Sequence, residues 1–246
     1  MRLSNAALYA KQLKYDPNRD VEPIIALAVS NNVLVVHPSV PVKTVPDLVA
    51  LAKSQPGQLT FVSAGVGTSV HMAGEMFKHM AGVNMVHVTY KSRVKALVDL
   101  IAGRVDVMFD NLSAAKPHIQ GGRLKALAVS SAQRSAALPM VPTVNETGLT
   151  RFEGESWFGV FAPVNTPSQV VNRLRETLAL INRENEFVSR VHADGGRMLN
   201  VPAGQQQSFL RDEIERSLNR LVYSAPRQAA TTPATSKSKW WNRLFR

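Results

Sequence analysis

Cysteine is absent from the 246-residue chain. Its absence excludes disulfides, thiolate metal centres, iron–sulfur clusters and a cysteine nucleophile. It fits an oxidising and a reducing compartment equally. Long apolar runs are lacking too. The longest, Ile24 to Val36, contains Ser30, Asn31 and Asn32 and is too short to span a bilayer. No apolar segment precedes the first charges, so the N-terminus does not read as a signal peptide. Acids are the scarcer charge: 18 Asp and Glu against 29 Lys and Arg, a formal net charge of +11. The excess is uneven, because Val222 to Arg246 holds Arg227, Lys237, Lys239, Arg243 and Arg246 and no acid. A basic chain suggests nucleic acid, but the body lacks the basic clusters and aromatic stacking motifs such binders use. No nucleic-acid partner is expected. Nucleophile-elbow, His-Glu-x-x-His and kinase signatures are also missing.

What is present is an ordinary globular composition, 45% apolar and 19% charged. Apolar runs alternate with helical patterns. Strands are expected at Ile24–Val36, Leu59–Ser63, Met85–Val88, Val105–Phe109, Leu124–Val129 and Trp157–Ala162. Helices are expected at Asp47–Lys53, Lys95–Ala102, Ala114–Gln120, Ser168–Ile181, Asn185–Ala193 and Ala203–Val222. Another, Ser69–Ala81, carries Met72, Met76, Phe77 and Met80 on one face and Gly82 as its stop. Strand–helix–strand units at crossover length imply an α/β fold with a parallel sheet covered on both faces. Pro226 onward reads as a linker too polar to pack.

The most informative stretch is Ser63-Ala64-Gly65-Val66-Gly67-Thr68-Ser69-Val70-His71, which leaves a strand and opens a helix. Ligands of open α/β sheets sit beside the carboxyl ends of strands. Gly65 and Gly67 admit close approach, Thr68 or Ser69 can cap the helix, and its leading amides favour an anion. Val70 stands where the dinucleotide pattern needs a third glycine, and no Gly-Lys-Ser/Thr follows. A carboxylate fits better than a nucleotide; a self-capped glycine turn is the plain alternative. Asp110 and Asn111 end a second strand at the same edge, where they serve as polar ligand contacts or as an Asx turn. A third strand end carries Tyr90, Lys91, Arg93 and Lys95; cations at a helix start face water by default. His71, Glu75 and His79 share one helix face at a spacing compatible with zinc. That face adjoins the methionine stripe and no further ligand is placed, so no metal and no cofactor is expected. His71 is expected to touch ligand or loop.

Several stretches, taken in order, resemble one family. They are Tyr15-Asp16-Pro17-x-Arg19-Asp20, Asn32-Val33-Leu34-Val35-Val36, Lys53-x-x-Pro56-Gly57, Ser63-Ala64-Gly65, Val86-His87-Val88-x-Tyr90-Lys91, Met108-Phe109-Asp110-Asn111, Leu124-x-Ala126-Leu127-Ala128-Val129, Leu138-Pro139-x-Val141-Pro142-Thr143 and Ser156-Trp157-Phe158-Gly159. The pattern is similar to the Bug-type solute receptors of the tripartite tricarboxylate transporter system, from about Ser4 to about Ile214. The resemblance implies a type II periplasmic-binding-protein-like α/β fold with one complete parallel-sheet lobe. An incomplete first lobe would contribute crossover strands and C-terminal helices. On that reading residues 1–35 are a remnant of the first lobe and a crossover strand, and 36–156 the second lobe. Residues 157–222 return to the first lobe, and 223–246 form a basic, disordered tail.

The implied function is an extracytoplasmic receptor, not an enzyme, that delivers a small carboxylate to a membrane permease. Backbone amides of Ser63–Ser69 would hold one carboxylate, with Ser63, Ala64, Gly65, Gly67, Thr68, Ser69 and His71 around it. Tyr90, Lys91, Asp110 and Asn111 would supply polar contacts. Two alternatives stay open: a nonfunctional remnant, or a small hydrolase or isomerase using His71 and Asp110.

The chain departs from the family pattern in three places. It starts inside the pattern, as an N-terminally truncated copy would, so weak ligand binding and exposed apolar surface on the C-terminal helices are expected. Localisation is periplasmic by resemblance and cytoplasmic if Met1 is the true start. Ser92, Arg93, Val94 and Lys95 replace the family's Gly and Pro after Tyr-Lys, favouring a more anionic ligand. The Trp-Trp and Leu-Phe tail at 237–246 has either a weak membrane-surface contact or a frameshifted or read-through origin.

Overall fold

The computed structural model describes residues 19–152, 154–209, 212, 213 and 216. The Ile24–Val36 run divides at Asn31 into two strands, β1 (Val21–Ser30) and β2 (Asn32–Val36), which join different sheets. Asn31 and Asn32 are buried and hold the crossing point. Asn31 Nδ2 donates to the Gly195 carbonyl at 2.8 Å, and Asn32 Nδ2 to the Gly154 carbonyl at 2.7 Å.

The larger sheet has five strands: β2, β3 (Thr60–Ser63), β4 (Val86–Thr89), β5 (Val107–Asn111) and β6 (Lys125–Val129), in the order β4-β3-β5-β2-β6. β3 runs parallel to both β4 and β5, whereas β2 runs antiparallel to β5 and β6. The sheet is therefore mixed, not parallel throughout as its apolar runs suggested. Burial on both faces, which those runs do signal, says nothing of direction. Alternation sorts the strands' side chains to two cores. Leu34, Val36, Phe61, Val107 and Phe109 face one side, with α1 (Val45–Ser54) and α2 (Ser69–Ala81). Val33, Val35, Val62 and Met108 face the other, with α3 (Arg93–Ile101) and α4 (Leu112–Gln120).

The smaller sheet has the order β7-β1-β8, with β7 (Ser156–Pro163) and β8 (Arg197–Met198) both antiparallel to β1. α5 (Ser168–Ile181) lays Val171 and Leu178 on Ile24, Ile25, Val160 and Ala162. The apolar surface expected to lie exposed on the C-terminal helices is partly covered, because α5 has this sheet. Val170, Leu174 and Leu180 remain exposed on α5, and Phe158 on β7. α6 (Asn185–Ala193) follows. Of the expected helix Ala203–Val222, the described part begins as a 3-10 turn, Ala203–Gln205, and the rest lies mostly outside the described residues, as does the basic tail. Among the described residues no helix is long and apolar enough to cross a membrane.

Side chains cap the N-termini of α1 and α2. Thr44 and Asp47 form a capping box at α1: the Asp47 amide donates to Thr44 Oγ1 at 3.2 Å and the Thr44 amide to Asp47 Oδ2 at 2.9 Å. Thr44→Ala should cost about 1 kcal/mol, readable as a lower midpoint in urea with unchanged slope. A change in slope would instead mean that the N-terminus of α1 organises more than itself.

Candidate functional site

Three parallel strands end together at one edge of the larger sheet. The Tyr90 amide after β4 donates to the Ser63 carbonyl at the end of β3, at 3.0 Å. Val62 pairs with Met108, which sets Ser63 level with Phe109, one residue before Asp110. The structure thus brings together the Ser63–Ser69 loop, Tyr90 to Arg93, and the Asp110–Asn111 pair, as the sequence predicted.

Gly65 and Gly67 have φ of +124° and +77°, so the loop needs glycine there. Thr68, rather than Ser69, caps α2: its Oγ1 accepts from the His71 amide at 3.2 Å while its hydroxyl donates to the Gly65 carbonyl at 2.9 Å. The loop amides are less free than expected. Gly65 N–H points at Ser63 Oγ, Gly67 N–H at His71 Nδ1, and Thr68 N–H at the Gly65 carbonyl, each at a long 3.3 Å. The amides at the front of α2, which lack carbonyls one turn earlier, are the loop's best anion donors. Ala64 lies half-buried against the core, and Ser69 opens the helix.

His71 is buried, and burial lowers its pKa to about 4, helped by the nearby charges of His87 and Lys78. Its ring lies 4.6 Å, centroid to centroid, from that of His87 on β4. His87 Nε2 is 2.8 Å from Ser63 Oγ, and burial lowers its pKa as well. The sequence did not single out His87 as a site residue, because nothing local says which residue of β4 faces α2.

Asp110 is wholly buried. Its carboxylate accepts from Arg93 Nη1 at 3.3 and 3.4 Å and from the Asn111 amide at 2.9 Å. Burial pushes its pKa up, against the opposing charge of Arg93 and the Asn111 hydrogen bond. Arg93, read from sequence as a solvated cation, is instead the counter-ion of this acid. The Asn111 amide side chain makes no hydrogen bond among the described residues, although Asn111 is the N-cap of α4. Tyr90 turns its hydroxyl to Asp99 Oδ2 at 2.7 Å, a bond that holds α3 rather than facing the loop. Lys91 is exposed.

A cavity of about 270 Å³ opens elsewhere, beside the end of β6, lined by Ser130, Asn145, Arg151, Trp157, Arg197 and Phe209 among others. None of the sequence-predicted residues lines it.

The family pattern described as "Tripartite tricarboxylate transporter family receptor" matches residues 3–224. A Pseudomonas sp. (strain P51) protein from a tcbD–tcbE intergenic region is 41% identical over 164 residues, 66% of this chain and 49% of the relative. Protein BugT of Bordetella pertussis is 30% identical over 204 residues, 83% of this chain and 63% of its own length. The chain spans about half to three fifths of these curated relatives. Among solved structures, R. palustris Rpa4515 with adipate is similar at a TM-score of 0.81 and 33% identity, covering 87% of this chain and 72% of its own. MatC from Rhodopseudomonas palustris, with bound malate, gives 0.77 and 25%, covering 89% and 75%.

Proposed function

Because this chain belongs to the tripartite tricarboxylate transporter receptor family, we propose that it is a solute-binding receptor for a small carboxylate and performs no chemistry on it. The observation that carries this reading is the convergence of the α2 N-terminus and the Arg93 guanidinium at one sheet edge. A guanidinium has five N–H donors, and only Nη1 faces Asp110. The side chain remains 37% exposed, so other donors are left for a ligand. Asp110 then acts as the group that aims Arg93. The amides leading α2 would take one carboxylate, and Arg93 with Lys91 a second acidic group. In this reading, residues 36–156 form one lobe, 157–222 return to the other, and the crossover strands let the lobes close on ligand in the periplasm. The permease would receive the occupied form.

The relatives with adipate and malate make dicarboxylates the first probes. Calorimetric titration should show 1:1 binding of a four- to six-carbon dicarboxylate. Gly67→Val, which strains a φ of +77°, should weaken that binding by more than tenfold, since backbone strain of this kind costs about 1–3 kcal/mol. Arg197→Ala, beside the separate cavity, should not. Equal affinity in Gly67→Val, or loss in Arg197→Ala instead, would move the ligand to the cavity near β6.

A further inference from the structure

We propose that His71, Glu75 and His87 form a binding site for a divalent transition cation of the zinc class. The site shares His71 with the loop expected to hold a carboxylate, but its test does not depend on that reading.

The three side chains come from two elements that the fold packs together. His71 and Glu75 lie one turn apart on α2, and His87 faces them from β4. Each offers a donor atom, and the three donors lie within 4.8 Å of one another. Two imidazole nitrogens and one carboxylate oxygen suit zinc and its neighbours, and leave a fourth position open. Tetrahedral bonds of about 2.0–2.1 Å need donors roughly 3.4 Å apart. A donor pair at the 4.8 Å limit must therefore close by about 1.4 Å. Glu75 has the most rotatable side-chain bonds of the three and supplies that movement.

A further observation supports the assignment. Ser63 Oγ stands 2.8 Å from His87 Nε2 and orients that ring, as outer-shell partners of metal-bound histidine do. A cation already attends the site: Lys78 Nζ is 2.9 Å from Glu75 Oε1, and its charge is felt at both rings. The metal would take Glu75 from Lys78. His79, the third residue of the sequence pattern, is exposed and lies outside the cluster. A hard cation such as magnesium prefers an all-oxygen set and should not bind.

The test is titration of the full chain with Co²⁺, followed by its visible ligand-field absorption and by displacement with Zn²⁺. A saturable 1:1 spectrum, unaffected by Mg²⁺, is expected. His87→Gln should weaken binding by at least about 100-fold, beyond the loss typical of an outer-shell partner, and His79→Ala should leave it unchanged. Lys78→Gln should tighten it roughly fivefold or more by removing a competing charge, a gain that misfolding cannot imitate. On the wild-type chain, Zn²⁺ should shift the imidazole ¹⁵N signals of His71 and His87 and leave the other four of the six histidines in place. No saturable spectrum, zinc shifts at other histidines, or equal affinity in His87→Gln would each overturn the assignment.

Discussion

Alanine in place of Gly74 should cost more than about 3 kcal/mol and leave the chain largely unfolded at 37 °C, judged by loss of a cooperative thermal transition. Gly74 lies in the middle of α2, where glycine is normally a liability of up to ~1 kcal/mol relative to alanine. Here the missing side chain is required. A Cβ at this position would sit 1.9 to 2.6 Å from Cζ, Cε2 and Cε1 of Phe61. The Phe61 ring cannot swing away, because it is fully buried and stacked on His87 at 5.1 Å. α2 would have to lift from the sheet, opening the core around Met76, Phe77 and Phe109. Phe61→Leu added to Gly74→Ala should recover part of the loss by shortening the obstructing group. A single substitution that melts within a degree or two of the parent would show that α2 rides further from β3 than described.

The second large effect is at Arg93. Arg93→Ala removes the only side-chain cation paired with Asp110 among the described residues and leaves a buried acid uncompensated. The expected loss is about 2–3 kcal/mol at pH 7, below the upper range for a broken buried pair because the guanidinium is partly solvated. Its pH dependence carries a sign. Burial already raises the folded-state pKa of Asp110 above the usual carboxylate range. The folded state therefore binds the proton more readily than the unfolded one, and stability falls as pH rises through the folded pKa. Removing Arg93 raises that pKa further, so the variant should be close to wild type near pH 4 and progressively weaker toward pH 7. Arg93→Ala combined with Asp110→Asn should remove the pH slope and restore most of the stability, yet still bind dicarboxylates poorly. Unfolding in guanidinium across that pH range decides it. A flat profile in the single variant would mean the pair is broken in solution.

Much of this was legible beforehand because it is local. Ser69–Ala81, with its apolar stripe and its stop at Gly82, Ser168–Ile181 and Asn185–Ala193 were read with their observed bounds. The convergence of three strand ends followed from crossover geometry. What could not be read is what only tertiary pairing decides. NVLVV is apolar at every position after the asparagine, and a strand buried on both faces looks the same in either direction. Its antiparallel placement between β5 and β6 therefore left no mark. Arg93 and Lys95 are two cations two residues apart; only the position of β5 relative to α3 singles out the first for Asp110. His79 has nearly the helical spacing to join His71 and Glu75, yet the third group of the cluster comes from β4, because an i, i+4, i+8 row drifts by about 80° around the helix and carries His79 to the exposed side. Tyr90 lies at the predicted edge, but rotation about its side-chain bonds sends the hydroxyl to Asp99.

The position of β2 also has a consequence during synthesis. All five of its residues are buried in the mature sheet, between β5 and β6. Both neighbours emerge from the ribosome long after it does; β6 is completed more than ninety residues later. At ordinary elongation rates of about 5–20 residues per second, Val33 to Val36 wait several seconds or more without a partner. An uncharged, β-branched stretch of this kind is what intermolecular β-association selects. The nascent chain should thus depend on a holding chaperone across that interval, and faster elongation should raise the soluble yield.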